Sequence, residues 1–445
     1  MSHLEERGFR ALKASLRTGA FCLVVVTALS FYALLPVTGQ QVAVETAPSF
    51  VCNLMDDRGV ALGIGGADLG VSVVDGSKLW TIFGDTASIG PPAAGPASRP
   101  LVGASSAIES QLPFNCSSYS WLTTSSGKFY QPLHSAREKG VDESTVPAGA
   151  ITLNGTIYIY AMQVNHWGAP STVAHGVLFK EQADGTFTEL TRWPMNQLFV
   201  NAAPVAAELP DGTSAIFVAT TGQYRHSPVY LTYVIPSEIG DPAAYHYLTG
   251  YENGSPLWSA DMAEAKPLPG FENVWAGELS FQYDAPLRSY LLMFKDYESK
   301  MFVLYWSSAP YGPFEGPIAF SPCGTASSQP GWMQSGWGPC YGGYILPDSF
   351  GADGHNLYFD ISVWDPYTTV LMTMRLGTQL TTESTSQVTS TSTTGITTAE
   401  TTTGEQGYSA TLVLPLSIAV LGCSIAVIVA RKYFAGNRPQ LPKST

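Results

Sequence analysis

The sequence predicts an all-β fold, a five-bladed β-propeller ectodomain followed by a disordered stalk and one C-terminal transmembrane helix. The composition is the first reason: 43 Gly, 31 Pro and 12% aromatic residues accompany only 13% charged residues, which is typical of a large β protein with many turns. The second reason is that residues 40–377 contain no convincing amphipathic helix but a recurring unit of strands.

Each unit consists of a strand, a turn and an aromatic-rich second strand, and most of the turns contain Gly. In units two to five a third strand follows. We expect strands at 69–74 and 78–83 in unit one, 148–153, 156–162 and 176–180 in unit two, 203–209, 213–220 and 229–234 in unit three, 279–283, 289–295 and 301–306 in unit four, and 344–347, 356–362 and 369–376 in unit five. Radial blades leave only short, protected edges. Residues near Gln41 to Phe50 are expected to supply the closing strand, and a β-sandwich with long loops is the alternative.

The ends of the chain predict an extracellular domain attached to a membrane. Residues 1–39 have the basic leader and apolar run of a signal peptide, with an uncleaved signal anchor as the alternative. Residues 378–407 form a Ser/Thr-rich stalk, either O-glycosylated or an unmodified linker. The apolar residues 408–430 are long enough to span a bilayer, and basic residues begin the cytoplasmic tail at 431–445. We therefore expect a single-pass type I protein of the cell membrane.

Cysteines and glycosylation motifs agree with that location. An even number of ectodomain cysteines predicts two disulfides among Cys52, Cys116, Cys323 and Cys340. Three pairings are open, and local spacing favours Cys323 with Cys340, which leaves Cys52 with Cys116. Acceptor motifs for N-glycosylation begin at Asn115, Asn154 and Asn253.

The opening hairpin carries a carboxylate at each open end. The strand after Asp68 turns at Asp75-Gly76 and returns to deliver Asp85, so the two side chains should lie near each other. In a propeller, the start of each first strand and the end of each second strand face one mouth, which adds Glu278. Glycoside hydrolysis needs two close carboxylates, one that protonates the leaving oxygen and one that activates water or attacks carbon.

The same mouth is expected to bind a glycan. Aromatic side chains stack on sugar rings and polar groups hold hydroxyls. The candidates for these roles are His166, Trp167, Gln223, Arg225, His226, Asp296 and Trp364. Solvated loop residues and ordinary turn residues are the alternatives for each of these positions and for the carboxylates.

Other partners and cofactors find little support in the sequence. A net charge of −13 argues against a nucleic-acid partner. The sequence contains no zinc, serine-hydrolase or nucleotide-binding motif, so we predict no metal site and no cofactor. A structural calcium ion in the propeller channel is an open alternative, although no motif indicates one. We expect the protein to be a monomer.

The hairpin motifs resemble a known family. The run from Ala67-Asp68-Leu69-Gly70 to Phe83-Gly84-Asp85-Thr86 resembles the signature of the domain of unknown function 4185 family, which includes the endo-acting D-arabinanases of glycoside hydrolase family 183. Residues 146–150, 277–280, 306–314 and 357–364 extend the resemblance over most of residues 53–376. It implies a five-bladed propeller and inverting hydrolysis, with Asp68 and Asp85 as the catalytic pair and Glu278 orienting or tuning them. The resemblance leaves the roles within the pair open, and we favour Asp85 as general base and Asp68 as general acid.

The resulting prediction is a membrane-tethered, extracellular glycoside hydrolase that cleaves a furanosyl, arabinan-like polysaccharide. The stalk and the membrane span depart from the bacterial enzymes, and a shared fold does not fix a function. An inactive propeller that binds cell-surface or environmental glycans is the main alternative, and a purely structural surface protein is a third.

Overall fold

The structure is a computed structural model of the protein, and the part of the chain that it describes folds into five β-sheets. The structure describes residues 40–89, 101–103, 105–133, 144–167, 172–324, 330–331, 333, 338–347 and 356–380. Strand β1 (Gln40–Asn53) and the short helix α1 (Asp57–Ala61) precede the first sheet. The Asp56 carboxylate accepts hydrogen bonds from two backbone amides at the start of α1 and so caps it.

The remaining strands follow in chain order, one sheet or blade after another. Blade 1 contains β2 (Ile64–Asp75), β3 (Lys78–Ser88), β4 (Leu101–Gly103), β5 (Ser106–Gln111) and β6 (Ser120–Trp121). Blade 2 contains β7 (Ser144–Leu153), β8 (Thr156–His166), β9 (Val173–Glu181) and β10 (Phe187–Arg192). Blade 3 contains β11 (Asn201–Glu208), β12 (Ser214–Thr221), β13 (Tyr230–Val234), β14 (His246–Glu252) and β15 (Ser255–Ser259).

The last two blades complete the ring. Blade 4 contains β16 (Ala276–Asp284), β17 (Ser289–Asp296), β18 (Met301–Ser307) and β19 (Glu315–Phe320). Blade 5 contains β20 (Cys340–Ile345), β21 (Asn356–Val363) and β22 (Thr368–Leu380), and β1 pairs with β22 as its fourth strand. Short 3₁₀ helices lie at Pro236–Glu238, Pro242–Ala244 and Met262–Glu264.

The first strand of each blade lies next to the first strand of the following blade. Strand β2 contacts β7, β7 contacts β11, β11 contacts β16, β16 contacts β20, and β20 contacts β2. This closed cycle of inner strands is the arrangement of a five-bladed β-propeller. The predicted all-β, five-bladed propeller is therefore confirmed, including the closing role of the N-terminal strand.

Hydrophobic clusters fill the spaces between blades and explain why the ring closes. In the described residues, each interface has its own cluster, with members such as Val71 and Ile159, Leu178 and Val218, Phe217 and Phe281, Leu304 and Phe359, and Leu371 and Phe83. Strands buried on both faces pack against a neighbour on each side, so an open array would expose one of these clusters.

Turn chemistry sets the hairpins within the blades. Asn154 and Gly155 have φ values of 51° and 73°, the positive pair that a type I′ turn requires. Asn253 and Gly254 repeat this turn between β14 and β15, with φ values of 51° and 81°. The side chains of Asn115, Asn154 and Asn253 are all exposed, as glycan acceptors must be.

Both disulfides join neighbouring blades. Cys52 on β1 bonds Cys116 in the segment between β5 and β6, and Cys323 beyond β19 bonds Cys340 at the start of β20. This is the pairing that local spacing favoured.

The predicted ends lie mostly outside the described residues. The signal peptide, the transmembrane helix and the tail fall in residues 1–39 and 381–445, as does most of the stalk. Strand β22 extends to Leu380, beyond the predicted strand end at 376. Within the part of the chain that the structure describes, no helix is long and apolar enough to cross a membrane.

Candidate active site

Asp68 lies where the backbone of β2 departs from regular pairing. The register between β2 and β3 shifts between Ala67 and Leu69 and again between Leu69 and Val71. Leu69 has a φ of 61°, a left-handed conformation that costs a non-glycine residue about 1–3 kcal/mol. Bulges of this kind redirect side chains, and here the irregular segment carries Asp68.

Two hydroxyl groups of blade 5 hold this irregular segment. Ser362 Oγ accepts a hydrogen bond of 2.7 Å from the Leu69 amide. Thr369 Oγ1 lies 3.0 Å from the Ala67 carbonyl and 3.1 Å from the Leu69 carbonyl, to which it donates. Both residues are fully buried, so the strained conformation next to Asp68 is fixed by the neighbouring blade.

The Asp68 carboxyl group is buried and surrounded by tyrosines. Tyr341 donates its hydroxyl hydrogen bond to Oδ2 at 3.0 Å, and Tyr367 is a second hydroxyl donor to the same carboxyl. The other oxygen, Oδ1, is buried without a hydrogen-bond partner. It rests against Gly84, where an added Cβ would lie 2.5 Å from it.

Burial and neighbouring charge favour the protonated form of this group. Burial raises the pKa of Asp68 to about 8, and the negative charges of Asp85 and Glu278 act in the same direction against the two tyrosine hydrogen bonds. Burial and the charge of Asp68 in turn raise the pKa of Tyr341 well above its ordinary value, so Tyr341 stays a hydrogen-bond donor. Asp68 is therefore a carboxylic acid, rather than a carboxylate, near neutral pH.

Asp85 lies on the adjoining strand β3 and is more exposed than Asp68. Ser144, the first residue of β7 in blade 2, donates a hydrogen bond of 2.5 Å to Asp85 Oδ1. The hairpin thus places both predicted carboxylates on paired strands, one with its proton and one held by a hydroxyl. Such a pair with divergent environments is the arrangement from which acid and base roles arise.

Glu278 enters the site from β16, where the register with β17 shifts between Ala276 and Leu279. Arg225 donates to Glu278 Oε1 from Nη2 at 2.6 Å and from Nε at 3.1 Å, and Tyr224 donates to the same oxygen at 3.2 Å. Asn201 braces the bulge by donating to the Gly277 carbonyl at 3.2 Å. Oε2 of Glu278 is buried and has no hydrogen-bond partner.

Three other predicted residues lie at the end of β8 or in the loop that carries Arg225. Trp167, which is 38% exposed, packs edge-on against Tyr224 at 5.5 Å, one contact away from Glu278. His166 is the exposed last residue of β8. Gln223 is partly buried in the same loop as Arg225. The prediction that these three bind substrate stays a prediction.

The remaining predicted residues lie around the same edge. Trp364 is 43% exposed and packs against Tyr341 and Tyr367, the two tyrosines that hydrogen-bond to Asp68. His226 packs against Trp275. Asp296 accepts hydrogen bonds through both oxygens from the amides of Trp275, Glu298 and Ser299, which is a structural role that sequence analysis did not predict.

Sequence analysis missed several residues of the site. Tyr341, Tyr367, Ser144, Tyr224 and Trp275 were not singled out. The reason for Ser144 and Tyr341 is that β7 and β20 begin before the predicted starts at 148 and 344, and their first residues face the mouth. Alternation of apolar residues marks regular strand pairing, whereas these residues lie at irregular strand ends.

In chemical terms, the site combines a buried acid, a more exposed carboxylate and a third carboxylate paired with Arg225, framed by exposed tryptophans. In the described residues, no group of three or more His, Cys, Asp or Glu side chains is arranged to hold a metal ion. The arrangement can donate a proton, accept one, and hold sugar rings and hydroxyls.

Comparison with known proteins identifies a family model and several structures of similar fold. The model described as "Domain of unknown function (DUF4185)" matches residues 55–373. No curated protein matches the chain.

Among solved structures, a xylan beta-1,4-xylosidase from Bacillus Halodurans C-125 is 11% identical with a TM-score of 0.42, and the match covers 72% of this chain but only 54% of the xylosidase. An exo-1,5-alpha-L-arabinanase from a bovine ruminal metagenomic library is 12% identical with a TM-score of 0.38, over 72% of this chain and 98% of the arabinanase. The mannose phosphorylase MPT-4 from Leishmania mexicana is 14% identical with a TM-score of 0.38, over 70% of this chain and 85% of the phosphorylase. Similarity this low carries no argument about activity, and the fold assignment rests on the strand order.

Proposed function

The chain belongs to the DUF4185 family, and from its site we propose that it is a glycoside hydrolase acting on a furanosyl, arabinan-like polysaccharide. The observation that carries the proposal is the pair on the opening hairpin: Asp68 is buried and protonated, with its pKa raised to about 8, and Asp85 lies beside it on β3. An acid kept protonated at neutral pH next to a second carboxylate is what cleavage of a glycosidic bond requires.

We propose that Asp68 is the general acid. Tyr341 and Tyr367 hold the carboxyl by hydrogen bonds, and its proton passes to the leaving glycosidic oxygen. The bond between that oxygen and the anomeric carbon then breaks, and Asp68 is left as a carboxylate. Because burial disfavours that charge and raises the pKa, Asp68 keeps its proton near neutral pH until the leaving oxygen takes it, and it regains a proton from solvent after product release.

Asp85 then serves as general base in an inverting reaction. It takes a proton from a water molecule whose oxygen attacks the anomeric carbon on the face opposite the leaving group. Ser144 orients the carboxylate by donating to Oδ1. Glu278 tunes the pair through its charge, which raises the pKa of Asp68.

The proposal is tested by product release from arabinan and other furanosyl polysaccharides. Purified wild-type protein is compared with Asp85→Asn, and with the exposed-site variant Glu252→Gln as a matched control. We expect oligosaccharides from the wild type and the control, and none from Asp85→Asn, with circular dichroism spectra that agree. Equal product release by Asp85→Asn would overturn the assignment of the base.

A glycan-binding protein without hydrolytic activity is the second candidate. The exposed tryptophans at the mouth favour it, since aromatic faces hold sugars whether or not a bond is cleaved. It predicts that the wild type and Asp85→Asn bind the same glycan with similar affinity and that neither releases product.

We also propose that the protein is secreted, glycosylated and tethered as a single-pass type I membrane protein. The two disulfides and the exposed acceptor asparagines support an extracellular location. Labelling of intact cells with a membrane-impermeant reagent, followed by enzymatic removal of N-glycans, tests it. Protein that is not labelled until the cells are broken would contradict the proposed topology.

A further inference from the structure

We propose that Trp275, together with His226, forms a subsite that binds one ring of an uncharged glycan beside the catalytic carboxylates. This inference rests on the proposed function and adds to it a residue and a position along the substrate. Trp275 precedes β16 directly, and the next residue, Ala276, pairs with Asp296 at the end of β17. The start of the first strand and the end of the second meet here, which is the mouth edge of blade 4.

The Trp275 side chain presents an apolar face to solvent. It is 38% exposed, and its ring centroid lies 4.1 Å from that of His226, which is itself exposed. Covering a large apolar ring of this kind with a ligand removes apolar surface from water and so stabilises the complex. The C–H face of a sugar ring is a ligand that stacks on indole while its hydroxyls reach polar neighbours.

The backbone around Trp275 is held in place by hydrogen bonds within blade 4 and to blade 3. Its amide donates to Asp296 Oδ1 at 3.0 Å, and its carbonyl accepts a hydrogen bond of 2.8 Å from the Tyr297 amide. The amide of Ala276 donates to the Ser227 carbonyl of blade 3 at 3.0 Å. A side chain on such a fixed backbone loses little conformational freedom on binding, as a built subsite requires. This also gives Asp296 a role in positioning the subsite.

The subsite adjoins Glu278. Arg225 and Glu278 form an ion pair of 2.6 Å between the loop after β12 and the start of β16. His226 and Trp275 bridge the same two segments, one residue after Arg225 and three residues before Glu278. A ring on Trp275 is therefore a neighbour of the sugar whose bond is cleaved, and not part of a remote surface site.

The chemistry of the surroundings favours an uncharged ring. Glu278 already pairs with the Arg225 guanidinium, and the Lys295 ammonium donates to the Cys340 carbonyl at 2.5 Å. Trp364 of blade 5, which packs against the Tyr341 that hydrogen-bonds to Asp68, offers a second exposed indole. A neutral glycan that crosses the mouth would therefore meet two exposed indoles, one close to Glu278 and one close to Tyr341 and Asp68.

The test measures affinity separately from catalysis. Arabinan-derived oligosaccharides of increasing length are titrated calorimetrically into the full-length Asp85→Asn protein, with and without Trp275→Ala. We expect Trp275→Ala to weaken binding of the longer oligosaccharides at least tenfold and binding of the shortest very little, and Trp275→Phe to retain most of the affinity. Tyr283→Ala removes an exposed ring at the other end of β16 and should not change affinity.

Kinetics with the wild-type background distinguish failure of the subsite from failure of the proposed function. We expect Trp275→Ala to raise KM for polysaccharide while kcat changes less than threefold. If the wild type hydrolyses arabinan and Trp275→Ala has the same KM and affinity as Tyr283→Ala, the subsite is overturned and the hydrolase stands. If the wild type releases no product but Trp275→Ala still weakens glycan binding, the subsite stands and the hydrolase is overturned.

Discussion

The buried acid predicts an unusual dependence of stability on pH, which the variant Asp68→Asn should remove. Burial and the charge of Asp85 raise the folded-state pKa of Asp68 to about 8, whereas an unfolded Asp titrates near pH ~3.9. Between these values, the folded protein holds one more proton than the unfolded chain. Its stability contribution is therefore complete below the unfolded pKa and is lost as the pH rises toward the folded pKa.

The magnitude follows from linkage. With one extra proton bound to the folded state, the free energy of unfolding falls by about 1.4 kcal/mol for each pH unit, or about 2.5 kcal/mol between pH 5 and pH 7. Asparagine does not titrate, yet its side-chain oxygen can still accept the hydrogen bond from Tyr341. The stability of Asp68→Asn relative to the wild type should rise by that amount over the same range.

Urea unfolding followed by tryptophan fluorescence at pH 5, 6 and 7 measures this difference. The exposed-site variant Glu252→Gln controls for the removal of a carboxylate and should keep the wild-type pH dependence. If the free energies of the wild type and Asp68→Asn change in parallel with pH, Asp68 is not protonated in the folded state and the reasoning fails.

Three further predictions concern the groups that hold Asp68 in place. Gly84→Ala puts a Cβ 2.5 Å from Asp68 Oδ1 and should lower kcat at least a hundredfold, whereas Gly222→Ala at the same mouth meets no atom closer than 3.6 Å and should leave it within threefold; equal kcat values for the two variants would contradict this. Thr369→Val removes the hydroxyl that holds the strained segment, so it should lower kcat and reduce the free energy of unfolding in urea by about 1–3 kcal/mol, whereas Thr369→Ser should keep both near the wild-type values. A Val variant as active as the Ser variant would refute the role. Replacing Cys323 and Cys340 by Ser should destabilise the protein by about 2–5 kcal/mol and lower kcat, because Cys340 precedes Tyr341 on β20; unchanged thermal unfolding would argue against it.

Much of the fold could be predicted because its signals are local. Asn154-Gly155 and the alternation around it define a hairpin by turn chemistry alone, and the repetition of such hairpins indicates blades. The closing strand was predicted near Gln41 to Phe50, and β1 does pair with β22 as the fourth strand of blade 5. The extent of β22 to Leu380 was missed because Thr and Gln near the stalk fit both a strand and a linker.

The site was predicted less completely because its geometry depends on contacts between blades. Asp68, Asp85 and Glu278 could be named from their position at strand ends, but Ser362 and Thr369 act on Asp68 from another blade and more than 290 positions away along the chain. Asp296 is a similar case: substrate contact at this strand end stays a prediction, and the three backbone amides that donate to its oxygens were not predicted. The sequence indicates which residues lie at the end of a strand, but the contacts of their side chains depend on how the blades pack.

The most direct test of the central claim compares Asp68→Asn and Asp85→Asn on substrates with different leaving groups. A natural arabino-oligosaccharide needs a proton on its leaving oxygen, whereas a 4-nitrophenyl glycoside of the same oligosaccharide does not. We predict that Asp68→Asn loses activity on the natural substrate but keeps most of its kcat on the nitrophenyl glycoside, and that Asp85→Asn loses both. If Asp68→Asn loses both activities equally, or retains both, Asp68 is not the general acid.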